Sequence, residues 1–168
     1  MHRIALCAAA LCIGCTGPMP APSASFRTGQ TPIYSTAALP AARLVGQWRQ
    51  VGGFGAAKLC TAAPVLTISA SPQGAAQAQY DLCLGAQRVQ GGGAIASAGA
   101  QGRYLLPGIP SPIWVLWIDE GNRSMALGTP SGTFGIILSK DPIPADRLGA
   151  ARAVLAWNGY DLTQFYQY

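Results

Sequence analysis

The stretch IWVLWIDEGNRSMALGTPSGTFGIILSKDP, Ile113–Pro142, contains three apolar runs separated by two turn-forming clusters. The runs are Ile113–Asp119, Ser124–Thr129 and Phe134–Lys140, and Gly121-Asn122 and Pro130-Ser131-Gly132 stand between them. Apolar segments this short, bounded by Gly, Pro, Asn and Ser, predict antiparallel strands joined by tight turns.

Toward the N-terminus the same punctuation predicts strands near Val45–Val51, Val65–Ser71, Ala76–Leu84, Gly92–Ala98 and Arg103–Leu106. With the first three, that makes eight. Eight up-and-down strands close into a barrel without free edges, with an interior just large enough for one small ligand. The expected fold is therefore all-β, an eight-stranded antiparallel up-and-down β-barrel. Abundant turn formers (21 Gly, 13 Pro) and only 10% charged residues suit it better than a helical bundle. Its least strand-like part is Ala75–Gly102, where Gly and Ala crowd the run 91–99.

Toward the C-terminus, Pro142-Ile143-Pro144 and Asp146 open a helix over about 144–157. Leu148, Ala151 and Leu155 form its apolar stripe, which is expected to pack outside the barrel. Asn158-Gly159 is its stop signal. The tail Tyr160–Tyr168, with Phe165 and Tyr166, is aromatic enough to dock as a last strand.

Residues 1–15 run from His2-Arg3 through an apolar stretch too short to span a bilayer, and read as an export signal. Leu11-Cys12-Ile13-Gly14-Cys15 is similar to a bacterial lipoprotein signal with Cys15 as the acylated residue, although Leu11 lies four places before the cysteine instead of three. The alternatives are ordinary cleavage near 21–25 and an uncleaved apolar anchor. Residues 16–41, rich in Pro, Ala and Ser, read as a flexible tether, and 42–168 as one domain. Cys7 and Cys12 fall in the signal, leaving Cys60 and Cys83. In an oxidising compartment these read as a disulfide, with two free thiols as the alternative.

A chain beginning at Cys15 carries ten basic and six acidic residues, a mild excess of +4. The basic residues are scattered singly, so no nucleic-acid footprint is present. The single histidine, His2, lies in the signal, which removes Ser-His-Asp and Cys-His relays and histidine zinc sites from the mature chain. Ser139-Lys140 are adjacent and would point to opposite faces of a strand. Asp119-Glu120 before Gly121-Asn122 reads as a solvated turn, not as an acid/base pair. Gly53-Phe54-Gly55 lacks the third small residue and the βαβ unit of a dinucleotide site. No catalytic residue, metal or cofactor is implied, and the sequence sets no oligomeric state.

Leu44-Val45-Gly46-Gln47-Trp48 resembles the G-x-W motif that opens the first strand of lipocalins. The order Trp114-Val115-Leu116-Trp117-Ile118-Asp119, Met125-Ala126-Leu127-Gly128-Thr129-Pro130, Phe134–Pro142 resembles the bacterial and apolipoprotein D-like branch of that family. The resemblance implies a barrel floor of Gly46, Trp48 and Lys140, the last in place of the family's arginine. It also implies that Cys60 and Cys83 occupy positions where bacterial relatives tend to carry cysteines. The implied function is to bind a fatty acid, lysophospholipid or similar small hydrophobic ligand. The protein would be exported and held through Cys15 at the outer membrane, on its periplasmic side. Phe54, Tyr80, Tyr104, Trp117 and Met125 are the expected lining residues. Trp114 and Trp117, three apart, are expected on opposite faces. A periplasmic protease inhibitor is the runner-up, disfavoured by the helix, and an enzymatic lipocalin lacks a catalytic constellation.

Overall fold

The computed structural model describes residues 24–36, 39–55, 60, 63–71 and 75–168. The signal, Cys15 and residues 16–23 lie outside the described residues.

Nine strands follow one another along a single antiparallel path: β1 (Gly46–Phe54), β2 (Val65–Ser69), β3 (Gln77–Leu84), β4 (Gln87–Ala94), β5 (Ala96–Ser97), β6 (Arg103–Leu105), β7 (Ile113–Ile118), β8 (Ser124–Gly128) and β9 (Gly135–Ser139). Their hydrogen-bonded order is β4-β3-β2-β1-β9-β8-β7-β6-β5. Every neighbour is also a chain neighbour except β1 and β9, which bring the two halves together.

The edges of this path are β4 and β5, and Ile95 alone separates them. Its N–H bonds to the Ala76 carbonyl at 2.8 Å, so the two are one bent stave that changes partner from β3 to β6. The nine strands thus amount to the expected eight staves of a nearly closed barrel. The bend falls in the Gly-rich run, where Gly93 sits at φ +143°, a conformation side chains resist. This stave begins at Gln87 rather than near Gly92, because Gly85-Ala86 makes a two-residue turn directly after Leu84.

Helix α1 (Ala145–Trp157) packs on β7, β8 and β9 with Ala151 and Leu155 fully buried. It ends at Asn158, whose Nδ2 donates to the Val154 carbonyl at 2.9 Å. The tail returns as β10 (Phe165–Gln167), antiparallel to β1 with Phe54 opposite Phe165. Because the core lies on one side of β8 and β9 and α1 on the other, both strands are buried at every position. That double burial explains their continuous apolar sequence.

Two apolar clusters result. Trp48, Leu66, Ile68, Leu82, Val115, Met125, Leu127, Ile136 and Leu138 belong to the barrel interior. Phe54, Leu116, Ala126, Ile137, Ala151, Leu155 and Tyr160 lie between barrel wall, helix and tail.

The expected tether is ordered where it is described. Arg27 is 8% exposed and Leu39 1% exposed, and a 3-10 turn over Ala41–Leu44 leads into β1. Arg27 donates to the carbonyls of Asn158 at 3.1 Å and Pro130 at 2.9 Å, and to that of Thr31. Phe26 N–H bonds to Gly132 O at 2.8 Å, and Thr36 N–H to Val115 O at 2.7 Å. The segment therefore runs from the 129–134 loop to β7, fixed by backbone bonds that its composition does not reveal.

Candidate functional site

The barrel has a closed end and an open end. At the closed end Trp48 is fully buried, and its indole N–H donates to the Leu44 carbonyl at 2.7 Å. Lys140 Nζ lies 4.5 Å from the Trp48 ring centroid and donates to the Val45 carbonyl at 2.9 Å. Gly46 adjoins this pair, since a Cβ there would stand 2.9 Å from Lys140 Cε. Lys140 thus lies against both Gly46 and Trp48, placed over the ring as a cation–π cover.

The interior above the floor is nearly full. Leu44, Leu66, Leu82, Tyr104, Met125 and Leu127 surround a space of about 20 Å³, which suffices for about one water. Tyr104 and Met125 line this space, and Tyr80 also belongs to the interior cluster. Both tyrosine hydroxyls are already engaged: Tyr80 donates to the Pro107 carbonyl and Tyr104 to the Leu39 carbonyl. Burial pushes both phenols above their ordinary range, so they remain neutral donors. The Gly-rich wall has a purpose here, because a Cβ at Gly91 would lie 2.5 Å from the Tyr80 hydroxyl.

Phe54 and Trp117, expected in the lining, are on the outside. In β1 the pairing with β9 slips between Gln50 and Gly52, so Val51 is an extra residue. Past that bulge Gly53 faces Ile136 of the interior, and Phe54 turns outward against Phe26, Tyr160 and Phe165. In β7 the pairing with β8 slips between Val115 and Trp117, leaving Leu116 as the extra residue. Trp114 and Trp117 accordingly share the outer face instead of opposing each other, and the Arg103 guanidinium lies 3.7 Å over Trp114. A bulge inverts every side-chain direction beyond it, which strict alternation does not anticipate.

The larger hollow is at the open end, where the 84–87 turn, the 106–112 loop and the 129–134 loop meet. It has a volume of about 280 Å³, and Phe26, Leu84, Val89, Ile109, Pro110 and Phe134 supply its apolar walls. Among the described residues lining it none is charged; Gln87, Ser111 and Thr133 are the polar members. Leu84, Ile109 and Phe134 continue the interior cluster upward, whereas Phe26 enters from the N-terminal segment. Alternation along Tyr80, Leu82 and Leu84 marks the β3 contribution in sequence. Phe26, in a Pro/Ala/Ser-rich stretch, carries no such mark.

One disulfide, Cys60–Cys83, joins the end of the β1–β2 connection to β3 beside this open end, with Cα atoms 6.4 Å apart.

No family model and no curated relative matches the sequence. Solved structures do. The major allergen Per a 4 from cockroaches superposes with TM-score 0.62 at 12% identity, over 83% of this chain and 94% of that one. Insecticyanin from the tobacco hornworm Manduca sexta gives 0.60 at 13% identity, over 81% and 83%. Lobster apocrustacyanin A1 gives 0.55 at 12% identity, over 75% and 77%. These neighbours are lipocalins, and a single antiparallel barrel closed by β1 and β9, with a C-terminal helix on its flank, is the lipocalin fold.

Proposed function

We propose that this chain is a lipocalin that binds a small apolar molecule at the open end of its barrel, and that it works as an exported protein held at a membrane by acylation of Cys15. The observation that carries the reading is the hollow of about 280 Å³, walled by Phe26, Leu84, Val89, Ile109 and Phe134 with no charge among its described lining. That volume lies near the lower end of small-molecule sites, and burial of apolar surface supplies the affinity without a catalytic group. A single-ring or short-chain ligand fits the hollow. A long acyl chain, as the sequence resemblance implies, would have to displace Leu82, Met125 or Leu127 from the filled interior below.

Calorimetric titration of the delipidated protein with fatty acids of increasing chain length tests this. Affinity should rise by about 0.8 kcal/mol per buried methylene and then stop once the hollow is full. A continued rise through long chains would mean that the core opens. Absence of saturable binding by any chain length or small aromatic compound would refute the reading. Ala86→Trp, which places an indole in the hollow, should weaken binding at least about tenfold, a loss of ~1.4 kcal/mol.

A further inference from the structure

Beyond its first turn, where Asp146 is exposed at the start of the outer face and Arg147 is bound to Asp119, helix α1 is poor in charge on both sides. Leu148, Ala151 and Leu155 face the barrel, while Gly149, Ala150, Ala153, Ala156 and Trp157 are exposed, and Arg152 is the only charge from Gly149 to Trp157. A surface helix normally turns a charged or polar face to solvent, and from Gly149 onward this one does not. The exposed face ends in an aromatic pair: Trp157, 67% exposed, stacks on Tyr34, 52% exposed, with ring centroids 5.1 Å apart. The Tyr34 N–H is fixed by Asn158 Oδ1 at 2.8 Å, so the pair is built into the fold.

The N-terminal segment arrives at the same place. Arg27 Nε donates to the Asn158 carbonyl at 3.1 Å, and Thr28 N–H to the Gly159 carbonyl at 2.9 Å, one and two residues beyond Trp157. Eight residues, 16–23, separate Cys15 from Ala24. Fully extended, that stretch reaches about 30 Å. A lipid on Cys15 would therefore tether residue 24 within about 30 Å of the bilayer surface, near enough for the C-terminal end of α1 to touch it.

We infer that the outer face of α1, with Trp157 stacked on Tyr34, is a membrane-contact surface that rests in the lipid headgroup region. Tryptophan and tyrosine favour that zone because each joins an apolar ring to a polar hydrogen-bonding group. The small side chains of Gly149, Ala150 and Ala153 let the helix lie flat, while Arg152 is turned aside over the Phe165 ring of the docked tail. The inference rests on the acylation of Cys15 proposed above.

The full acylated chain, reconstituted into phosphatidylethanolamine–phosphatidylglycerol vesicles containing lipids brominated near the headgroup, tests it. Flotation reports the anchor, and quenching of tryptophan emission reports the face. Floated protein should be quenched, Trp157→Phe should lose most of that quenching, and Trp117→Phe should keep it. Ala153→Glu, a charge on the exposed face, should reduce quenching without lowering the unfolding midpoint. Flotation with no loss of quenching in Trp157→Phe overturns the inference alone. Failure to float overturns both the anchor and the inference. Floated, unquenched protein whose copies cross-link through Ala153→Cys assigns the face to a second copy and also overturns it.

Discussion

The side-chain amide of Gln50 pairs with both backbone polar groups of Cys83: Oε1 accepts from the Cys83 N–H at 3.0 Å, and Nε2 donates to the Cys83 carbonyl at 2.9 Å. The pairing of β2 with β3 stops at Val65 opposite Asp81, so Leu82 and the residues after it have lost their strand partner on that side. Gln50, 2% exposed, supplies one donor and one acceptor in the geometry a strand residue would have offered. Replacement by Leu of similar size leaves both Cys83 groups buried and unpaired, and should lower stability by about 2–4 kcal/mol. Gln50→Glu keeps the acceptor and sets an oxygen against the Cys83 carbonyl, so it should also destabilise. Urea denaturation of the three proteins measures the order.

The same cysteine is tied to Cys60 across a separation of 23 residues. Replacing both cysteines by Ser should lower stability by about 3 kcal/mol, through the freedom restored to the unfolded chain. Combined with Gln50→Leu, the losses should fall short of or exceed their sum, because both changes act on one backbone site. A double-mutant cycle in denaturant measures the coupling.

Tyr160 supplies a pH dependence. Its ring lies between β8, β9 and Phe54; its hydroxyl donates to Phe134 O at 2.8 Å and accepts from Thr129 N–H at 3.0 Å. Burial pushes the phenol from 10.0 up to about 12. The folded state holds the proton more tightly than the unfolded chain, so this contribution is complete below pH 10. It is lost progressively as pH rises through the folded value near 12, to a total of about 2–3 kcal/mol. Tyr160→Phe should be less stable at neutral pH yet lose less on going to alkaline pH. Stability curves measured at successive pH values, with tyrosinate absorbance followed in parallel, check both statements.

At the floor, Lys140 covers Trp48 as an ammonium, without the planar stack that a guanidinium offers. Lys140→Met should cost about 0.5–2 kcal/mol, and Lys140→Arg should be neutral or stabilising, since the planar group stacks on the indole. Gly46→Ala should destabilise more than Lys140→Met, because Gly46 sits at φ +135° and its new methyl would stand 2.9 Å from Lys140 Cε. Thermal unfolding with Trp48 emission as the probe ranks the three.

The parts of this molecule that can be read from sequence are those where a local pattern and the final environment agree. β7–β9 sit between turn residues, the helix has a proline-led start and an Asn-Gly stop, and Trp48 follows Gly46 at the spacing of a floor motif. Phe54 and Trp117, which the resemblance implies as lining, lie outside because single extra residues, Val51 and Leu116, reverse the alternation of their strands. Nothing in the composition of either strand marks those bulges. Phe26, Arg27 and Leu39 sit in a stretch poor in large apolar residues, and what orders them is contact with loops and a helix terminus more than a hundred residues away in sequence for Phe26 and Arg27. Gln50 left a faint signal, as a polar residue two places from Trp48 on the inward face of β1.

The pairing of β1 with β9 has a kinetic consequence. Connections of at most ten residues join the other neighbouring strands, but Arg49 meets Ser139 only after some ninety intervening residues have been made. The entropy of closing so long a loop makes this the slow contact of the assembly. Until it forms, one edge of β1 remains an unpaired template for other chains. A barrel that ends nearly closed thus begins open along β1, and the interval before β9 and β10 arrive is when this chain is most exposed to mispairing and aggregation.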